Sequence, residues 1–161
     1  MQRMNRRAGA ALVAALVQLV GCSQQPSKQA TTPPATVEQI EGSKLKKVTL
    51  TESAMKRLDV QLSEVSEQKG PRRDSPQLTV PYGAIIYDPE GTEWVYTSPE
   101  PRVFVREKVK VDYIDGEVDL GFESFNRAKN MTAFLKEGPD VGTKVVSVAT
   151  LEIYGEEKGN K

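Results

Sequence analysis

A mainly β fold, a small antiparallel barrel- or sandwich-like domain with one short helix, is what this sequence predicts. Three observations carry the prediction. From Arg102 to Tyr113 the odd positions are apolar except Glu107 and the even positions charged except Phe104, the period of a strand with one buried face. Turn-forming groups (Asp88-Pro-Glu-Gly91, Asp115-Gly116 and Gly138-Pro-Asp-Val-Gly142) punctuate the C-terminal half at short intervals. Helix signals, by contrast, gather in one place only, after Thr51.

The chain of 161 residues opens on Arg3, Arg6 and Arg7, followed by an uncharged, mostly apolar run from Ala8 to Val20. That run is short of the roughly 20 residues a transmembrane helix needs, and its basic flank is that of a secretory leader. It ends in Leu19-Val20-Gly21-Cys22, and Cys22 is the only cysteine. The arrangement resembles the bacterial lipobox, which implies a leader over 1–21, cleavage before Cys22 and acylation of its thiol. The alternative, an ordinary leader with an unrelated cysteine nearby, leaves the order of charge, apolar run and Cys unexplained. A lipidated Cys22 places the chain in the cell envelope, membrane-anchored and facing the periplasm. Ser23, in place of Asp, favours the outer membrane in the common Gram-negative sorting scheme, which leaves the choice of membrane open.

Residues 22–45 read as a flexible linker, since Ser23 to Ser43 is rich in Gln, Ser, Thr and Pro with few large apolar side chains. A β domain is expected over 46–161. Leu45–Leu50 is a short strand. Thr51 is a plausible N-cap for a helix to Leu58, with Ala54, Met55 and Leu58 on one side and Glu52 placed to meet Lys56. Val60–Val65 is extended, and Glu67–Gln77 is a polar, turn-rich break around Gly70-Pro71 and Pro76. Leu78–Tyr87 is β-like, Trp94–Tyr96 a short strand, and Arg102–Tyr113 the long alternating strand with a basic, solvated even face. Val118–Leu120 returns from the Asp115-Gly116 turn, Lys144–Val148 is a further strand, and the tail from Glu156 is frayed.

Composition narrows the chemistry. There is no histidine, so His-based acid–base catalysis and Ser-His or Cys-His nucleophiles are excluded. With Cys22 acylated, zinc and copper lose their usual ligands. The 22 basic and 22 acidic residues balance, and loss of the leader arginines tilts the remainder slightly acidic, which gives nucleic acid no basic surface. Asp112/Asp115 and Glu117/Asp119 lack a calcium-loop spacing and sit where a hairpin wants Asp and Gly. No cofactor and no metal site are expected, and a non-catalytic role is expected; a carboxylate-pair hydrolase stays formally open, and deep pairing of two buried acids would revive it. Asn130-Met-Thr132 matches a glycosylation sequon without meaning for a bacterial lipoprotein.

Four segments carry a resemblance. Val80-Pro81-Tyr82-Gly83-Ala84-Ile85-Ile86-Tyr87, Gly91 to Tyr96, Phe104-Val105-Arg106-Glu107-Lys108-Val109 and Gly138-Pro-Asp-Val-Gly142-Thr-Lys-Val145-Val146 occur in that order. Together they resemble the C-terminal part of the periplasmic adaptor subunits (membrane fusion proteins) of tripartite efflux pumps. Val48 to Val65 is similar to that family's entry into its β-barrel domain. The resemblance implies a barrel remnant over 46–77 and a membrane-proximal-like part over 78–155. It also implies an efflux-type membrane transporter as partner, with a full-length adaptor as a possible second. The family's long helical hairpin and lipoyl-like domain find no room between Cys22 and Lys46, and Pro139 stands where the family pattern has Leu. The other reading is an independent β-domain lipoprotein acting as an envelope ligand-binding or scaffold module.

The basic row Arg102, Arg106, Lys108 and Lys110 is the candidate partner-binding strip, a docking surface for an acidic patch. Its plainer reading is the charged solvent face of an antiparallel strand. Tyr82, Tyr87, Trp94, Tyr96 and Phe104 are expected to supply core area rather than a ligand pocket.

Overall fold

The structure, a computed structural model, describes residues 33–116 and 131–159. The leader expected over 1–21, Cys22, the strand expected at Val118–Leu120 and Asn130 of the sequon lie outside the described residues. Ten strands form one curled antiparallel sheet, a half-barrel. They are β1 Ala35–Gln39, β2 Lys46–Leu50, β3 Gln61–Glu64, β4 Ser66–Gly70, β5 Arg73–Pro81, β6 Ile86–Tyr87, β7 Glu93–Glu100, β8 Val103–Asp115, β9 Thr132–Glu137 and β10 Lys144–Val148. A short helix α1 (Glu52–Arg57) follows β2, and α2 (Thr150–Gly159) follows β10. Along the wall the order is β3-β10-β7-β8-β9-β5-β4.

β8 organises the sheet. One side pairs with β7 along most of its length. The other side pairs with β2 over Val103–Val105 and with β9 from Lys110 onward. Register shifts around Val111 mark the change of partner, as a bulge does when a strand bends from one neighbour to the next. The two ends of the wall, β3 and β4, are consecutive in the chain with Val65 between them. Val65 N–H donates to Thr143 O (2.9 Å) and its carbonyl accepts from Gly142 N–H (2.8 Å).

Because neighbouring strand residues face opposite ways, the wall carries a core on each face. The inner one gathers Val65, Val80, Ala84, Ile85, Val95, Val109, Ala133, Leu135 and Val145, contributed from all round the curl. The outer one gathers Ala35, Val48, Leu50, Ala54, Ile86, Tyr96, Phe104, Val146 and Ile153, beneath β1, β2 and the two helices. The pairs Val95/Tyr96 and Val145/Val146 divide between them, and all four side chains are fully buried.

The helix after Thr51 forms as the sequence implies. The Thr51 side chain accepts from Ala54 N–H, and Lys56 meets Glu52 at 2.6 Å. The Asp88–Gly91 turn is likewise present. Gly91 has φ +77° and donates to Asp88 O, while the Asp88 carboxylate accepts from Thr92 N–H and Trp94 Nε1–H, each at 2.8 Å.

Four expectations are corrected. Within the linker expected over 22–45, Ala35–Gln39 form β1, which pairs with β2 from Ala35↔Leu50 to Gln39↔Lys46, while 22–32 lie outside the described residues. Ala35 and Val37 lie two apart and pack on the outer core, enough to seat a strand in an otherwise polar stretch. The break at Glu67–Gln77 is a hairpin, β4–β5, which is exposed over much of its length and so lacks an apolar period. Pro76 is accommodated there because β9 pairs with β5 only from Leu78 onward. β5 therefore runs across the expected division at 77/78, and the two portions share one sheet. The tail expected to fray at Glu156 belongs instead to α2, with Thr150, Ile153 and Glu157 buried on one side.

Candidate docking surface

The basic row of β8 does not form one strip. Arg102 sits exposed in the β7–β8 turn at φ +66°, its carbonyl accepting from Leu50 N–H. Lys110 lies eight positions on, about 26 Å along an extended chain. Lys108 and Lys110 are exposed and share a shallow depression of about 310 Å³ with Glu93 and Glu137. Lys110 faces Glu137 across the ladder, and Glu93 accepts from Val111 N–H at 2.7 Å. The structure thus brings two of the four basic residues together, on a surface of mixed sign.

Arg106 corrects the expectation of a solvated even face. Only 7% of it is exposed, and Phe104 beside it is fully buried. The even face is open at Lys108 and Lys110 but covered further back, where α2 crosses it. Arg106 Nε lies 2.8 Å from Glu157 Oε2, an ion pair in which the N–H is not aimed as a hydrogen bond. Tyr96 O–H donates to the same oxygen at 2.6 Å, and Lys46 Nζ donates to the Glu157 carbonyl at 3.2 Å. The guanidinium stacks over Trp94 at 4.6 Å and lies 5.7 Å from the Tyr154 ring. Burial, and then the hydrogen bond to Glu157, push the Tyr96 hydroxyl far above the ordinary tyrosine range, so it stays a donor. Among the described residues Glu157 is the one buried acid, and an arginine rather than a second carboxylate stands beside it. This is the chemistry of a clamp on α2, not of a carboxylate pair.

Asp112 is similarly occupied. Arg73 Nε at 2.7 Å, Lys136 Nζ at 3.0 Å and Gln77 Nε2 at 3.0 Å converge on its carboxylate. The hydrogen bonds from Arg73, Lys136 and Gln77 hold it well below the usual carboxylate range. It ties β8 to β5 and β9 and offers little to a calcium ion. Asp115 is described, whereas Glu117 and Asp119 lie outside the described residues. Among the described residues no group of three or more His, Cys, Asp or Glu gathers as metal ligands would.

The aromatic residues divide by place. Tyr96 and Phe104 fill the outer core, Trp94 packs against it, and Tyr82 packs half-buried on the inner one. Tyr87 is 47% exposed. Tyr113 stacks on Phe134 with centroids 4.6 Å apart, beneath Gly70 of the β4–β5 tip, where a Cβ would collide with the Tyr113 hydroxyl.

Sequence reasoning missed two features. Glu157 was hidden because a buried carboxylate leaves no apolar signal. The second is a largely apolar depression of about 550 Å³ lined by Leu62, Pro99, Pro101, Thr143 and Lys144. Its residues come from β3, the end of β7 and the turn after it, and the chain entering β10, so no local pattern announces it. Among the described residues no helix is long and apolar enough to cross a membrane. No family model matches this chain, and no curated protein and no solved structure is significantly similar to it.

Proposed function

We propose that this protein is a lipid-anchored, non-catalytic envelope protein that docks on a membrane transporter and supports export, a reduced counterpart of the efflux-pump periplasmic adaptors. The observation that carries the reading is the four adaptor-like segments in family order behind a lipobox. Their packing supports it: Val80, Ala84, Ile85, Val95, Val109 and Val145, drawn from all four segments, meet in the inner core of the half-barrel. These positions of the four segments thus lie inside the domain, in contact with one another. Acylation at Cys22 would raise the local concentration of the domain at a membrane partner without requiring high intrinsic affinity.

In-cell crosslinking followed by pull-down from the intact envelope, wild type against Cys22→Ser, tests the reading. Recovery of an export transporter with wild type, and its marked loss with Cys22→Ser, is the expected outcome. A correctly anchored protein that captures no transporter component would overturn the adaptor reading in favour of an independent β-domain lipoprotein.

A further inference from the structure

The apolar depression and the point where the chain enters the domain lie at the same end of the sheet. Thr51 N–H donates to Pro34 O and Leu50 N–H to Arg102 O, while Ala35 pairs with Leu50 and Thr49 with Val103. Pro34 is thus about two strand spacings, roughly 10 Å, from the Pro101-Arg102 turn. This turn supplies Pro101 to the depression and the end of β7 supplies Pro99, opposite Leu62. Leu62 is 40% exposed, and Val141, adjoining Gly142 in the lining, is 56% exposed. These are two of the four large apolar side chains left exposed among the described residues.

About twelve residues separate Cys22 from Pro34, a length that spans at most ~40 Å. An acyl group on Cys22 therefore keeps this end within reach of the bilayer. We propose that the rim formed by Leu62, Pro99, Pro101 and Val141 rests on the lipid surface that holds the anchor. The inference depends on the lipid-anchor reading of Cys22 and goes beyond it by fixing which end of the domain faces the membrane. Charges near the rim are of both signs: Arg102 and Lys144 beside Glu64, Glu100 and Asp140. The contact is accordingly apolar and indifferent to headgroup charge. A patch of this size does not retain a protein at a membrane by itself, but it orients one already tethered.

The test couples the chain from Cys22 to Lys161, through the Cys22 thiol, to maleimide-headgroup phospholipid in phosphatidylcholine vesicles. A second set of vesicles contains phosphatidylglycerol. The control is the same chain with Cys22 capped by iodoacetamide and mixed with identical vesicles. Amide hydrogen exchange is expected to slow several-fold across 97–102 and 140–145 on tethering, in both lipid compositions. The Leu62→Ser/Val141→Ser variant is expected to lose that protection while remaining folded, since both side chains are exposed. Unchanged exchange, protection centred on 69–73, or protection seen only with phosphatidylglycerol would overturn the proposal. Metabolic acyl labelling of the wild type against Cys22→Ser separates the two readings. Absence of label refutes the anchor and with it the membrane placement, whereas label without protection refutes the rim alone.

Discussion

Arg106 shows how far a residue's neighbours, rather than its type, decide its role. Its place in an alternating strand reads as solvent-facing, and Lys108 and Lys110 on the same face are indeed exposed. Glu157, far along the chain, converts Arg106 into an interior residue, and nothing local to either position signals the pairing. Removing one partner of a buried ion pair strands the other charge in a medium that solvates it poorly. Arg106→Ala is therefore expected to cost about 3–5 kcal/mol in urea unfolding. The double variant Arg106→Met/Glu157→Met should recover much of that loss, because apolar side chains of similar length carry no stranded charge. A stability equal to wild type in Arg106→Ala would contradict the clamp. Asp112 gives a prediction in pH. Its carboxyl is held below the ordinary range in the folded protein, so its contribution is fully present above the unfolded value of about 4. That contribution is lost as pH falls from there toward the folded value. Asp112→Asn should lower stability at neutral pH and flatten the acid-side decline, measured by unfolding midpoints from pH 7 down to pH 3.

Elements were legible wherever packing wrote a period into the chain. The Thr51 helix carries a cap, β2 and β8 an apolar alternation, and β7 and β10 short apolar runs, and each appears close to where the pattern places it. The β4–β5 hairpin and α2 were not legible, for opposite reasons. The hairpin is polar and much of it faces solvent. In α2 the hydropathy is inverted, with Leu151 69% exposed while Glu157 is buried, so an apolar stripe does not describe its docked side. Its attachment rests on Ile153 and on the Arg106–Glu157–Tyr96 cluster. A chain ending after Ala149 should uncover Phe104 and Tyr96, bind a hydrophobic dye such as ANS and unfold at much lower urea than the full chain. An unchanged midpoint would make α2 an appendage.

At the scale of the whole molecule, the β class and its antiparallel character were readable, because turns and alternation are local. The sharing of strands between two cores was not, since it depends on which strands become neighbours. β7, β8 and β10 present one face to each core, so neither core can melt while the other keeps its wall. Urea unfolding followed by Trp94 fluorescence, which reports the outer core, and by far-UV circular dichroism should give coincident midpoints. Separated midpoints would mean that the cores unfold independently. The junction at Val65 carries a further consequence, in time. β3 is made before its partner across Glu64↔Lys144, which follows about 80 residues later in the chain. Until Lys144 to Val148 arrive, β3 is an open strand edge and the curl has no second end to meet. Pairings so distant in sequence are slow to form and leave a sticky edge exposed meanwhile. The interval between making β3 and making β10 is therefore when this chain is most vulnerable to self-association, and when a chaperone would matter most.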